Sequence, residues 1–222
     1  MLSMMMSHPP HPPHPPRHIA LTGGMGSGKS SVSAWLAQQG ARIFDADAVV
    51  HQILKTPEAL RWAQDLWGEV CLETRGMKEG PDTRGTLDTK RIAQIIFADT
   101  SARQAWESFI HPQIDLYLDR WLDIPDSGRL IIYDIPLFFE TDWGQGHHID
   151  EVWVVYAPRE HCVERLEQQR GMAPGDIEAR LAVQIPLEEK AARADVVIDN
   201  SGLWEATVRQ LEHLLHERLG AV

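Results

Sequence analysis

Apolar residues in this chain fall into short continuous runs separated by longer stretches of helical spacing. The runs are His18-Ile19-Ala20-Leu21-Thr22, Ala41-Arg42-Ile43-Phe44, Leu130-Ile131-Ile132-Tyr133-Asp134, Val152-Trp153-Val154-Val155-Tyr156 and Asp195-Val196-Val197-Ile198-Asp199. Runs without strict apolar–polar alternation predict strands buried on both faces, as in a parallel sheet. Between them the pattern predicts helices over about 32–39, 48–54, 58–70, 90–97, 102–110 and 161–169. His111-Pro112 is expected to open a separate helix, because proline suits a first turn. Gly171-Met172-Ala173-Pro174-Gly175 breaks the chain, and Asp176 is the expected cap of the helix that follows. A last helix carries Trp204, Val208, Leu211 and Leu215 on one stripe. Residues 73–87, rich in Gly, Thr and charge, read as a loop. Strands alternating with helices give an α/β fold, a parallel sheet with helices on both faces.

Composition narrows the function classes. The 222 residues suffice for one α/β domain over 18–222 with a small lid. A formal net charge of −11 disfavours a nucleic-acid binder, which needs a basic face. No apolar run reaches the roughly 18 residues of a membrane span. Cys71 and Cys162 stand far apart and make no metal-binding spacing, as expected of reduced thiols in a cytoplasmic protein. Residues 1–17 differ from the rest: methionines precede Pro-Pro-His repeats, with no apolar stretch of signal-peptide length. An extended proline tract puts His8, His11 and His14 on one edge roughly 9 Å apart, too far for neighbours to share one metal ion without a bend. The segment is expected to be a disordered tail.

The chemistry concentrates at Gly23-Gly24-Met25-Gly26-Ser27-Gly28-Lys29-Ser30, which fits the phosphate-loop pattern between a strand and a helix. Glycines let the backbone curl so that several N–H groups face one anion, and the helix N-terminus adds positive potential. In such a loop Lys29 reaches the β- and γ-phosphates and Ser30 supplies a hydroxyl to Mg²⁺. Ligands of parallel sheets bind beyond the carboxyl ends of the strands. Asp45, Asp47 and Asp134 stand at two such ends. Asp134 reads either as support for Mg²⁺ or as a cap of the next turn. Asp47 reads as a proton acceptor for a substrate hydroxyl, with Asp45 capping the helix; the competing reading makes either one the cap. Arg165 and Arg170 flank the Gly-Pro break, where they either close over a triphosphate or line a solvated helix face.

In order along the chain, the phosphate loop, Asp45-Ala46-Asp47 with His51, Phe97, His111-Pro112, Asp134-Ile135-Pro136-Leu137-Phe138-Phe139-Glu140, Arg165 to Arg170, Gln184 with Lys190, and Ala194-Asp195-Val196-Val197-Ile198-Asp199-Asn200 resemble the dephospho-CoA kinase family. The resemblance spans about 19–219. It implies a nucleoside-monophosphate-kinase-like three-layer fold, with an acceptor-binding helical region over about 48–125 and a lid over about 165–185. It implies transfer of the γ-phosphoryl group of ATP to the ribose 3′-hydroxyl of dephospho-CoA. Mg²⁺ is expected at Ser30, with Asp134 or Asp47 helping through water, and the protein is expected to be a cytoplasmic monomer or small homo-oligomer. By motif, Asp47, Lys29, Arg165 and Arg170 become the catalytic set. Gly24, Met25, Gly26, Ser27, Gly28, Lys29, Ser30, Ser31 and Asn200 become ATP contacts. Asp47, His51, Phe97, His111, Pro136 and Leu137 become acceptor contacts.

The chain departs from the family pattern modestly: Ser31 stands where Thr is common, Phe138-Phe139 replaces an aliphatic pairing, the 73–87 loop is slightly long, and the His/Pro tail is extra. Three other readings share the loop. A regulatory GTPase lacks its Asn-Lys-x-Asp element here, since Asn200 is the only asparagine and Ser201 follows it. A non-catalytic relative sits badly with the intact set Lys29, Ser30, Asp47 and Asp134. A kinase of another small hydroxyl-bearing metabolite differs only in pocket shape.

Overall fold

The computed structural model describes residues 15–72, 86–125, 128–141 and 143–220. Most of the expected tail, and residues 73–85 of the expected loop, lie outside the described residues. Arg17, assigned to the tail from sequence, instead opens the first strand: it pairs with Leu130, and its N–H donates to Arg129 O at 3.0 Å.

The chain divides into two compact units, one of residues up to Asp45 and from Ile124 onward, the other Ala46–Asp123. The first is built on strands β1 (Arg17–Gly23), β2 (Arg42–Asp45), β3 (Leu130–Asp134), β4 (Glu151–Tyr156) and β5 (Val196–Asp199). They form one parallel sheet in the order β2-β3-β1-β4-β5. All five residues of β3 are buried. This is the double-sided burial that an unalternated run predicts, whereas β5, at the end of the strand order, departs from it with Val197 exposed. The sheet unit also holds α1 (Lys29–Gln38), α6 (Arg159–Arg170), α7 (Pro174–Leu181), α8 (Leu187–Ala192) and α9 (Trp204–Leu219). Ile19, Leu21, Val32, Leu36, Ile132, Trp153, Ile198 and Leu211 make one contiguous core from sheet and helices. Each such side chain contributes about 1.5–3 kcal/mol by leaving water.

The second unit is helical: α2 (Ala46–Ile53), α3 (Pro57–Trp67), a 3₁₀ turn Gly68–Cys71, α4 (Thr89–Ala98) and α5 (Thr100–Leu122). Its helices start on side-chain caps. Thr56 accepts from Ala59 N ahead of Pro57, Asp88 accepts from Lys90 N and Arg91 N, and Asp99 accepts from Ser101 N and Ala102 N. Those N–H groups hold the Asp99 carboxyl below the usual carboxylate range.

Three helix expectations change. The two helices expected on either side of His111-Pro112 are one 23-residue helix, α5, with Pro112 inside it. Proline removes one backbone bond, but the capped start at Asp99 and the buried face of Ile110, Ile114 and Leu118 carry the helix through. In α7 the N-cap is Ala173, Pro174 takes the first helical turn, and Asp176 lies inside that turn. In α9 the fully buried positions are Thr207 and Leu211, whereas Trp204 is 36% exposed. Both cysteines are free and buried, and burial pushes both thiols up. Among the described residues no helix is long and apolar enough to cross a membrane.

Candidate active site

β1 ends at Gly23 and α1 starts at Lys29, so the phosphate loop occupies the carboxyl end of the sheet's middle strand. Gly26 (φ 84°) and Gly28 (φ 95°) take left-handed backbone that a side chain would strain. Space forbids a side chain as well: a Cβ on Gly26 would lie 2.6 Å from Cys162 O. Gly28 is the N-cap of α1 and offers no side-chain acceptor, and the first turn of α1 holds no acidic residue. Every other α-helix among the described residues has an acidic first turn or a capping side chain. The start of α1 therefore presents its N–H groups and positive dipole end without an internal counter-charge, which suits an anion.

The loop is held from behind. Ser27 N donates to Gly24 O at 3.1 Å within it. Asn200, 6% exposed just past β5, donates from Nδ2 to Ser27 O at 2.7 Å and accepts from Thr207 Oγ1 at 3.0 Å. Arg165 of α6 donates to Gly26 O (3.4 Å), Ser27 O (3.3 Å) and Asn200 O (2.7 Å). With these carbonyls engaged from outside, the loop is braced in the curled form that an anion-binding nest requires. Arg170 behaves differently. It is exposed in the last turn of α6, which stops at Gly171 (φ 60°). The two arginines expected to act together thus have separate surroundings.

Lys29 Nζ forms a largely buried ion pair with Asp134 Oδ1. Asp134 ends β3 and is in register with Asp45 at the end of β2. Ser30 and Ser31 are exposed on the first turn of α1. Pro136 and Leu137 follow Asp134 in a turn. Pro136 O accepts from Thr22 Oγ1 (3.1 Å) and from Lys190 Nζ (3.3 Å). Leu137 O accepts from the N–H groups of Glu140 and Thr141, at 3.2 Å each.

The remaining predicted residues belong to the helical unit. Asp47 lies in the first turn of α2, two residues past the end of β2, and His51 Nδ1 hydrogen-bonds Asp47 O at 2.8 Å. Phe97 lies in α4 and the half-buried His111 in α5, one residue before Pro112. Sequence reasoning gave no role to Thr207, which completes the support of Asn200. A polar residue on the apolar side of α9 was the available signal, because a buried hydroxyl needs a partner. It also missed the cluster of Trp62, Trp67, Trp106 and Phe109, whose members lie on two helices, α3 and α5.

The family model for dephospho-CoA kinase (CoaE) matches residues 17–205. The chain belongs to the dephospho-CoA kinase family. It is 40% identical to a dephospho-CoA kinase of Geobacter sulfurreducens, over 90% of this chain and 98% of the relative. It is 38% identical to one of Symbiobacterium thermophilum, over 88% of this chain and 79% of the relative. A crystal structure from Thermus thermophilus superposes with TM-score 0.74 at 30% identity, covering 92% of this chain and 98% of the other. The protein is thus a P-loop kinase of the family that phosphorylates dephospho-CoA in the last step of coenzyme A biosynthesis, with ATP as co-substrate. The five-stranded parallel sheet is that of the expected α/β P-loop kinase fold.

Proposed function

We propose that this chain transfers the γ-phosphoryl group of ATP to the ribose 3′-hydroxyl of dephospho-CoA, giving coenzyme A and ADP in the cytoplasm. The observation that carries this reading is the uncapped, acid-free start of α1 behind a loop whose carbonyls are tied from outside. Such a site offers backbone N–H groups to a terminal phosphate. Lys29 leaves Asp134 for the β- and γ-oxygens, exchanging one anionic partner for another. The ribose oxygen forms its bond to the γ-phosphorus as the bond from that phosphorus to the β–γ bridging oxygen breaks, and the hydroxyl proton passes to Asp47. Catalysis of this kind rests on in-line positioning and charge stabilisation.

Ser30 and Asp134 are hard oxygen donors suited to Mg²⁺. Among the described residues there is no group of three or more His, Cys, Asp or Glu that would form an all-protein cage. That fits a cation held mainly by phosphates and water. Bound there, Mg²⁺ neutralises charge on the triphosphate. His51, Phe97, His111, Pro136 and Leu137 contact the acceptor. Arg165 acts through the loop it braces, and Arg170 closes with the 165–185 segment to exclude water. The working form is a monomer or small homo-oligomer.

The test is purified protein with Mg-ATP and dephospho-CoA, reading ADP release and product mass. Asp47→Asn is expected to lower kcat on the order of 10²–10⁴-fold with ATP affinity within twofold. Equal losses in both would remove Asp47 from proton transfer. Turnover on a different alcohol, with none on dephospho-CoA, would overturn the acceptor.

A further inference from the structure

The segment between α7 and α8 touches the site's two loops at once. Gln184 Oε1 accepts from Met25 N at 3.3 Å, inside the phosphate loop. The next residue, Ile185, donates its N–H to Glu140 Oε1 at 3.1 Å, in the turn that follows Asp134. Two residues beyond, Leu187 packs over Gly24. The segment is pinned by Lys190 of α8, which is 0% exposed and bonds Glu140 Oε1 at 2.6 Å and Pro136 O at 3.3 Å. A fully buried ammonium is costly unless paired, and removing either partner of such a pair is strongly destabilising. Lys190 and Glu140 therefore form a fixed post. Gln184 reaches from it to an amide of the loop.

We infer that Gln184 is a positioning residue for phosphoryl transfer, held in register by the Lys190–Glu140 pair and setting the Gly24–Met25 part of the phosphate loop. Gln184 acts through the loop backbone. It commits the Met25 N–H to a protein acceptor and so fixes the peptide plane from which the rest of the cradle follows. Because Gln184 lies just after α7, within the 165–185 segment, closure of that segment and the shape of the donor loop share one hydrogen bond. This rests on the ATP-binding reading of the loop, but not on the identity of the acceptor.

The experiment measures ATP binding by calorimetry without acceptor, then steady-state kinetics with Mg-ATP and dephospho-CoA, for Gln184→Ala and Gln184→Met. Methionine fills the same length and accepts no comparable hydrogen bond. Both variants are expected to weaken ATP about five- to tenfold, the usual scale of one lost hydrogen bond. The KM for dephospho-CoA and the Tm should stay at wild-type values. Amide exchange at Met25 should accelerate in both. Wild-type ATP affinity in Gln184→Met, with a loss only in Gln184→Ala, would reduce the residue to packing and overturn the inference. So would ATP affinity within twofold of wild type in both, or a fall in Tm with both substrates affected alike. If the wild type binds ATP but does not phosphorylate dephospho-CoA, the acceptor assignment fails while the calorimetric comparison still decides the role of Gln184.

Discussion

The sheet unit and the helical unit order their chemistry by different means. In the sheet unit the phosphate loop is shaped by backbone and braced by polar side chains far along the chain, Arg165, Gln184 and Asn200. In the helical unit order comes from capped helices and from rings. Trp62 stacks on Phe109 with centroids 4.4 Å apart and packs edge-on to Trp67 at 5.2 Å, and Trp106 lies 6.1 Å from Trp62. A triphosphate is the same in every ATP, so a backbone cradle of fixed form serves it, and such a cradle leaves a strong motif. Aromatic packing tolerates exchange of one ring for another and leaves a weaker one. The donor end is therefore written in a contiguous stretch of eight residues, and the proposed acceptor end is dispersed over α2 to α5.

The sharpest way to break this division is Lys29→Ala. It deletes the Lys29 ammonium from the cradle and strands Asp134, half of a largely buried ion pair. kcat/KM for ATP is expected to fall on the order of 10³-fold, the scale seen when a charge-stabilising donor is lost. A rate near that of the wild type would contradict the loop assignment. Next comes Trp62→Ala, which opens the ring cluster from its middle. Because Trp62 is only half-buried, the expected loss is about 2 kcal/mol of stability, below the 3–5 typical of a fully buried ring. Denaturant unfolding should show it, with ATP affinity within twofold of wild type and the KM for dephospho-CoA raised. Equal damage to ATP binding would mean that the two units do not divide the work.

Asn200→Ala sharpens the comparison from the other side. It removes the shorter of two bonds to Ser27 O, leaving that from Arg165, and one of two acceptors of the Thr207 hydroxyl, leaving Asp199 O. ATP binding is expected to weaken about five- to tenfold, the scale of one lost hydrogen bond to the loop. The KM for dephospho-CoA should not change. Asn200→Asp keeps the acceptor for Thr207 but turns a carboxylate oxygen toward Ser27 O, so it should be worse than alanine. The reverse order would show that the amide's bond to the loop contributes little.

Legibility followed how local each cause was. β3 was readable to the residue, because a continuous apolar run ends in a carboxylate and Pro136 stops it. The loop was readable because its glycines, lysine and serine are consecutive. What escaped depends on partners distant in sequence. Asn200 and Ser27 are 173 positions apart, and no periodicity links them. Thr207 breaks an apolar stripe for a reason that appears only once Asn200 is placed beside it. Pro112 misled because the rule that proline ends a helix is local, whereas the buried face that overrides it is tertiary. Asp176 misled by three positions, because an acidic residue favours the cap and the first turn alike. For the site, the proposed donor residues stand together in one motif. Asp47 was picked out by its place just past a strand end and His51 only through the family pattern, and a short helix after a strand carries no mark of what its first turn faces, so both stay proposals.

The smallest expected effect concerns the edge of the sheet unit away from the loop. His18 Nδ1 pairs with Tyr133 OH at 2.6 Å, and the His18 backbone N–H donates to Asp150 Oδ2 at 2.7 Å. Burial, then the neighbouring His148, hold the His18 imidazole below its ordinary 6.5, and Asp150 only partly opposes them. Burial also pushes the Tyr133 phenol up to about 12, so it remains a neutral partner. With the folded value below the unfolded one, the unfolded chain binds more protons as pH falls through 6.5. Stability is thus complete above about pH 6.5 and declines below it, until the folded imidazole is itself protonated. Unfolding free energies of wild type and His18→Gln between pH 7.5 and 5 should show the steeper decline in the wild type, because glutamine keeps a hydrogen-bonding group but does not titrate. Parallel curves would locate the acid sensitivity elsewhere. The effect should also stay within the sheet unit: amide exchange in α3 and α5 should be the same in both proteins at each pH, and a difference there would mean that the start of β1 and the helical unit unfold together.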